Sequence, residues 1–494
     1  MQHIGGVRTA LFNYFFARSR GGAFVLRIED TDRSRFHPEA LRDIYDTFEW
    51  LGISADEDPR RGGSHGPYVQ SERQELYREY AEKLIAAGRA YYDYTSAPRG
   101  DNAGADIADG AEDAAGARDG ADAAAVAAAP SPYNYEGRDL TPEQIEEYKA
   151  AGVKPVVRLL VPQDGKTEFE DLVLGRIKRK NKDLPPDPIL MKSDGFPTYH
   201  LANVVDDHLM EITHVLRAQE WVPSTPLHLL IYEAFEWNPP RFAHLPMVMG
   251  KDGSKLSKRH GATSVIEFRR QGYLPEAVTN YVTLLGWSYD DSREFFSRSD
   301  LEALFSIEKI NKAPAVFDYK KLDWFNGQYL RELPEDRLLE ELLPYLEDAG
   351  WTVKPADEAD RERLRGLLPL IRERLKLLSE VVPLTRFLYE NVDSWTAEDL
   401  VPKKATAADA LRWLDGAWRV IEETGLDDED AVDQAIRAAA EEMETKVGNL
   451  MMPLRVAITG STVSPPLVGS IRELGLERAR ERVQGARAVL AAST

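Results

Sequence analysis

The 494-residue sequence contains no cysteine. That excludes disulfides, a catalytic thiol and cysteine-ligated zinc, and it fits a reducing cytosol. No apolar run approaches the ~20 residues that span a bilayer. The first residues lack a basic stretch followed by an apolar core, so no signal peptide is expected. Basic charge is in deficit as well: 62 Lys and Arg stand against 83 Asp and Glu, for a net charge of −21. A polyanion-binding chain as a rule carries the opposite balance. Either the partner is not a nucleic acid, or the cations are gathered on one face.

Such gatherings exist. Arg176, Lys178, Arg179, Lys180 and Lys182 form one, Lys251, Lys255, Lys258 and Arg259 a second, and Arg472, Arg478, Arg480, Arg482 and Arg487 a third. Taken singly, each reads as a solvated face. The length exceeds that of one hydrophobic core and predicts several domains, and 43% apolar residues are those of a folded protein.

The first third alternates helical and strand-like patterns, which predicts a parallel α/β unit. Gly5-Gly6 opens an amphipathic stretch with Val7, Leu11, Tyr14 and Phe15 at helical spacing, closed by Gly21-Gly22. Ala23 to Ile28 reads as a short buried strand with Glu29 and Asp30 at its carboxyl end, where open α/β sheets bind ligands. Ile212 to Leu216 repeats the pattern, ending in Arg217 before a helix near Ser224-Thr225-Pro226. Residues 99–130 are Ala, Gly and Asp with almost nothing to bury, and read as a disordered or partly helical loop that carries part of the acidity. Beyond about residue 330 the texture is helical, with Leu364, Leu368, Ile371, Leu375 and Leu378, and later Leu411, Leu414, Trp418 and Ile421, expected in the core.

Two motifs carry chemistry. In His3-Ile4-Gly5-Gly6, glycines let a ligand approach the backbone, and a helix N-terminus offers free N–H groups to phosphate. Lys255-Leu256-Ser257-Lys258-Arg259 follows the turn-rich Gly250-Lys251-Asp252-Gly253, so a mobile loop is expected there. Its two lysines can converge on a phosphate and neutralise developing charge.

Together these motifs resemble the two signatures of class I aminoacyl-tRNA synthetases, in the form of bacterial-type glutamyl-tRNA synthetases. Arg8 to Asn13, Leu26 to Arg33, Asp194 to His208, Trp324 to Gly327 and Pro453-Leu454-Arg455 extend the resemblance over nearly the whole chain. It implies an α/β fold: a Rossmann-type catalytic domain at 1–73 and 202–238, its first strand missing, interrupted by an acceptor-stem-binding insertion at 74–201 with a disordered acidic insert at 97–132. A stem-contact domain at 239–334 would carry the second signature, followed by helical anticodon-binding domains at 335–395 and 396–494. The implied activity is ATP-dependent attachment of L-glutamate to tRNA(Glu) through a glutamyl-adenylate, in the cytoplasm, by a monomer without membrane contact.

The resemblance also assigns roles. Lys255 and Lys258 would steady the triphosphate of ATP, supplied as its Mg2+ complex, and His3, Gly5 and Gly6 would hold phosphate and adenosine. Glu220 and Trp221 would lie near ATP. Glu29 would accept the α-ammonium of glutamate, while Tyr199, Asn203 and Arg217 would line its pocket, the guanidinium binding carboxylate bidentately. Arg374 and Arg455 would contact the anticodon, with a preference for glutamate tRNA. Outside the resemblance, Glu29, Arg217 and Tyr199 read as a helix-capping acid, a surface arginine and a core tyrosine.

Two departures bear on this. Some relatives bind zinc through cysteines in the acceptor-binding insertion; here Tyr91-Tyr92-Asp93-Tyr94 leads into the acidic insert, and no zinc is expected. Family members also carry a strand ending in Pro-Ser-Pro-Thr-Gly before the first signature. This sequence opens at Met1-Gln2-His3, so the coding start is expected upstream, and the present form is expected to bind tRNA with weakened catalysis. A shortened tRNA-modifying relative or a small-molecule nucleotidyltransferase would have no use for residues 335–494. A non-enzymatic tRNA-binding module is a further reading.

Overall fold

The structure, a computed structural model, describes residues 3–31, 38–95, 136–261 and 263–494; the side chains of Pro38, Glu136 and Lys258 lie outside the description. The acidic insert expected at 97–132 also lies outside it. The chain divides into two compact units, Met1–Glu267 with Thr279–Asp318, and Phe268–Val278 with Tyr319–Thr494.

In the first unit, helix α1 (Ile4–Ser19) starts where the Gly-Gly pair predicts. Its apolar spacing buries Ile4, Val7, Leu11, Phe12 and Phe15. The helix closes because Gly21 takes a left-handed φ of +65° and Gly22 N–H donates to Ala17 O at 2.8 Å, answering an end carbonyl. Arg8 is buried on this helix and donates to the carbonyls of Leu285 and Pro246.

The segment 23–28 is less regular than predicted. It is extended, but it pairs by two isolated parallel bridges, Val25 with Glu57 and Ile28 with Val69, rather than by a continuous ladder. The reason is that its amides find separate partners, Leu26 N–H to Glu57 O and Ile28 N–H to Tyr68 O. Only Phe24 and Ile28 are buried, with Val25 and Leu26 halfway.

Among the described residues, nine strands form three sheets. β1 (Ala90–Asp93), β2 (Val156–Leu159) and β5 (Ile189–Met191) make an antiparallel sheet. β3 (Lys166–Asp171), β4 (Gly175–Lys180), β6 (His214–Ala218) and β7 (Arg241–Leu245) make the second, in the order β4-β3-β7-β6. Within it β3, β7 and β6 run parallel, so their carboxyl ends open on the same side. β8 (Val248–Met249) pairs parallel with β9 (Ala315–Val316). Helices α2 (Tyr199–Leu209) and α3 (Thr225–Ala234) pack into the core of this unit, α3 starting with Pro226 in its first turn as expected.

One buried acid organises this region. Asp206, on α2 and fully buried, accepts from Arg73 Nε at 2.8 Å, Gln70 Nε2 at 2.9 Å and the Tyr77 hydroxyl at 2.8 Å. Its neighbour Asp207 takes Arg27 Nη1 at 2.9 Å, and Arg27 Nη2 reaches Glu29 at 3.0 Å.

The second unit is helical from Tyr319–Glu332 to Leu476–Ala491. The predicted core positions Leu364, Leu368, Ile371, Leu375, Leu378, Leu414, Trp418 and Ile421 are buried, and Leu411 partly so. Among the described residues, no helix is long and apolar enough to cross a membrane.

The three basic clusters come apart. Residues 176–182 lie mostly exposed on edge strand β4 and the turn after it, where lysine also discourages edge-to-edge pairing. In the last cluster Arg472, Arg480 and Arg487 pair with Glu429, Glu422 and Asp415. Arg482 is buried, donating to the carbonyls of Ile458, Phe387 and Glu390. That cluster mostly holds helices together.

Candidate active site

The two signatures meet. Ile4 N–H donates to Thr263 O at 2.9 Å, and His3 bridges Ser264. This brings the start of α1 to the segment just beyond the second motif. His3 caps α1: its Nδ1 accepts from Gly5 N–H at 3.1 Å. A Cβ on Gly5 would stand 3.3 Å from that nitrogen, so the close approach of ring and backbone asks for glycine. Burial pushes the His3 imidazole below its usual pKa, and the nearby Lys255 ammonium adds to the effect. With Nδ1 occupied as an acceptor, the neutral ring carries its proton on Nε2, and a hydrogen bond from the ring to the Leu256 backbone, which an anion could replace, ties it to the second motif.

The second motif sits on a hydrogen-bonded turn. Gly250 N–H donates to Ser254 O at 2.8 Å, Leu256 N–H to Val248 O at 3.0 Å, and Gly253 adopts φ +76°. Asp252 accepts from Ser254 N–H and Oγ and faces His260, which in turn receives Ser257 N–H. Lys255 Nζ reaches Glu220 Oε1 at 2.5 Å, with both side chains largely exposed. Glu220 and Trp221 lie on the short turn Gln219–Trp221 directly after β6. Lys258 opens the turn Lys258–His260, and its side chain is outside the described residues.

Arg217 is the last residue but one of β6 and is 8% exposed, so it is no surface arginine. Its Nε donates to His244 Nε2 at 3.1 Å and its Nη2 to Thr225 Oγ1 at 2.7 Å, with Trp221 O at 3.4 Å. His228 Nδ1 lies 3.3 Å from both terminal nitrogens. The edge made by Nε and Nη2 is therefore taken, which rules out two-pronged docking of a carboxylate there and leaves Nη1 with capacity to spare. Every one of these partners is neutral: burial holds His228 well below its usual pKa and His244 below it too. Among the described residues, no carboxylate lies within ion-pair distance of Arg217. A buried guanidinium without a counter-ion is costly unless a ligand supplies one.

Tyr199 and Asn203 lie one turn apart on α2. The Tyr199 ring lies 4.6 Å from that of Trp221 and 5.8 Å from that of His228. Its hydroxyl is pushed up to about 12 by burial, with Glu29 raising it and Arg217 opposing. The phenol thus feels both charged residues assigned to glutamate. Asn203 is buried, and its Oδ1 has no hydrogen-bond partner. Orphaned buried acceptors are rare in folded proteins and mark a place for a donor. Glu29 is exposed and pairs with Arg27.

In the second unit, Lys320, Asp323, Trp324, Gly327, Arg331, Glu373, Arg374 and Lys376 line a cavity of about 500 Å³. Arg455 is half-buried, bonded to Ser464 Oγ at 2.5 Å. Burial lowers its pKa, and Arg374 lowers it further, so the two predicted anticodon arginines sense one another.

Sequence reasoning missed His244, His228, His200, Thr225 and Asp171. His200 sits inside the 194–208 segment and Thr225 at the expected helix start, but no motif gives any of the five a role; strand register and helix packing gather them around Arg217, His200 through His228 and Asp171 through His244.

Residues 1–324 match the family model for the catalytic domain of class I tRNA synthetases (E and Q), and residues 337–487 match an anticodon binding domain. The glutamate–tRNA ligase of Borreliella burgdorferi is 49% identical over 98% of this chain and 95% of its own. That of Treponema denticola is 50% identical over 98% of this chain and 96% of its own. A crystal structure of a glutamate tRNA ligase from Elizabethkingia meningosepticum, in complex with its amino acid, superimposes with a TM-score of 0.77 at 31% identity, covering 99% of this chain and 97% of that one. With its catalytic and anticodon-binding parts both matched, this chain belongs to the class I tRNA synthetases of the glutamyl and glutaminyl family.

Proposed function

We propose that this chain is a cytoplasmic, monomeric glutamate–tRNA ligase that activates L-glutamate with ATP and transfers it to tRNA(Glu). The observation that carries the choice of amino acid is Arg217, a buried cation with only neutral partners. A carboxylate side chain repairs the missing charge, whereas the carboxamide of glutamine does not.

Glutamate would lie with its side-chain carboxylate at Arg217 Nη1, next to Tyr199 and Asn203. Its α-ammonium would meet the other oxygen of Glu29, which Arg27 keeps oriented. The α-carboxylate then attacks the α-phosphate of ATP, which arrives as its Mg2+ complex, giving glutamyl-adenylate and pyrophosphate. His3 Nε2–H and the amide at Gly6 would hold phosphate at the N-terminus of α1, while Gly5, whose own N–H caps onto His3 Nδ1, lets the ligand approach the backbone. Lys255 would exchange Glu220 for the triphosphate, joined by Lys258, while Trp221 closes the nucleotide side. The cavity at Arg374, with Trp324 44% exposed for stacking and Arg455 near by, would read the anticodon and favour glutamate tRNA over glutamine tRNA. We assign residues 74–201 to acceptor-stem binding, 239–334 to stem contact and 335–494 to the anticodon.

ATP–pyrophosphate exchange with tRNA present tests this reading. Glutamate supports exchange at least 100-fold better than glutamine, on the order of two hydrogen bonds to a charged group. Comparable exchange with both amino acids would sink the assignment.

A further inference from the structure

Arg217 does not hold its own orientation. Three adjacent parallel strands, β3, β7 and β6, bring Asp171, His244 and Arg217 together at or next to their carboxyl ends, His244 and Arg217 in direct register. Asp171 Oδ2 lies 2.6 Å from His244 Nδ1, and His244 Nε2 lies 3.1 Å from Arg217 Nε, with Asp171 and His244 fully buried. Asp171 can only accept, so the proton of the ring sits on Nδ1. That leaves the Nε2 lone pair for the Nε–H of Arg217, with Thr225 Oγ1 3.0 Å away and its hydroxyl donating to Trp221 O. The opposite tautomer would set an N–H against the N–H of the guanidinium. Burial keeps the ring neutral, against the pull of Asp171.

Asp171 itself is divided between two tasks. Its Oδ1 accepts from Val173 N–H and Leu174 N–H and holds the turn after β3, while Oδ2 serves the histidine through its ring and, at 3.1 Å, its backbone N–H. A carboxylate bonded directly to Arg217 would orient it equally well. It would also cancel the charge that the substrate has to find and repel the incoming anion. A neutral imidazole between them transmits orientation without the counter-charge.

We infer that Asp171 and His244 are positioning residues that, through a fixed histidine tautomer, orient Arg217 for the side-chain carboxylate of glutamate while leaving its charge uncompensated. This rests on the reading of Arg217 as the partner of that carboxylate.

The test is steady-state aminoacylation with Arg217→Ala, Asp171→Asn, His244→Asn and His244→Gln, with thermal unfolding as a folding control. Asp171→Asn keeps the turn acceptor but donates to His244 and inverts its tautomer. His244→Asn keeps a donor for Asp171 and removes the acceptor for Arg217; His244→Gln does the reverse. We expect Asp171→Asn and His244→Asn to raise the glutamate KM about tenfold or more, as loss of one hydrogen bond to a charged group does, with the ATP KM unmoved. His244→Gln should recover most of that loss. A purely structural role would leave the two His244 variants alike and shift both KM values together. Equal glutamate KM values for wild type, Asp171→Asn and His244→Asn overturn the inference while Arg217→Ala still raises that KM. If Arg217→Ala leaves it unchanged, the pocket reading fails first. Nitrogen-15 shifts of His244 in the wild-type protein decide the matter should a variant not fold: a proton on Nε2 rather than Nδ1 refutes the relay.

Discussion

Removing the carboxylate of Asp206 should loosen the first unit more than any other single change near the site. The acid is fully buried and satisfies Arg73, Tyr77 and Gln70 at once, and Arg73 is itself buried. Asp206→Ala leaves one uncompensated guanidinium, which costs about 3–5 kcal/mol. Two neutral donors are also stranded, at about 1–3 kcal/mol each if nothing relaxes. These losses share one cavity and do not add, so roughly 4 kcal/mol is the reasoned figure. Because the chain has two compact units, a single unfolding free energy is not defined, and peptide-resolved hydrogen exchange is the suitable assay. Peptides covering 70–86 and 199–209 should exchange about a thousandfold faster, and peptides covering 407–459 at their usual rate. Asp206→Asn keeps acceptors for Tyr77 and Gln70 and should lose about half as much. A change below about tenfold in Asp206→Ala would refute the argument that this acid holds α2 against the 70–77 segment.

Other perturbations read other parts of the chain. Folded-state values for His3, His208, His214, His228 and His244 all lie below the usual histidine value, burial being the leading cause in each. The unfolded chain therefore binds more protons as pH falls below about 6.5, and stability is lost in that direction. The melting temperature should drop between pH 7.5 and 5.5, and His228→Gln should flatten the drop; a flat or rising wild-type profile contradicts the sign. Lys255→Met should let the His3 value rise, seen by NMR titration, because the ammonium is one of the two influences lowering it; the same variant should raise the ATP KM. Arg374→Ala should weaken tRNA binding roughly tenfold with the glutamate KM unaffected, and a change in the glutamate KM instead would misplace this cavity.

Much of this was legible in the residues. Helical spacing located the core of the second unit because Leu364, Leu368 and Ile371 repeat on one face, and Leu375 and Leu378 are buried even though the helix has ended. The Gly-Gly pair and Gly21-Gly22 bracketed α1 because caps are local chemistry. What sequence could not give is pairing across strands. Arg217 looked like a surface arginine on its own; it is buried because β7 and α3 close over it. Asp171 and His244 have no pattern of their own, and register alone makes them a pair. The segment 23–28 has strand composition but divides its hydrogen bonds between two neighbours, a feature invisible to periodicity. The terminal arginines counted as a basic cluster by proximity in sequence, yet their partners Glu429, Glu422 and Asp415 come from other helices.

The uncompensated charge of Arg217 also has a meaning for how the protein survives between turnovers. A site that lacks an anion is a weak place in the fold, and on the proposed reading the amino acid that fills it would contribute to folding as well as to chemistry. Any ligand that binds only the native state raises stability by RT ln(1 + [L]/Kd), about 2.7 kcal/mol at a hundredfold excess over Kd. Glutamate at saturating concentration would therefore act as a protectant against heat and proteolysis of the first unit, and starvation for it would expose the enzyme as well as idle it.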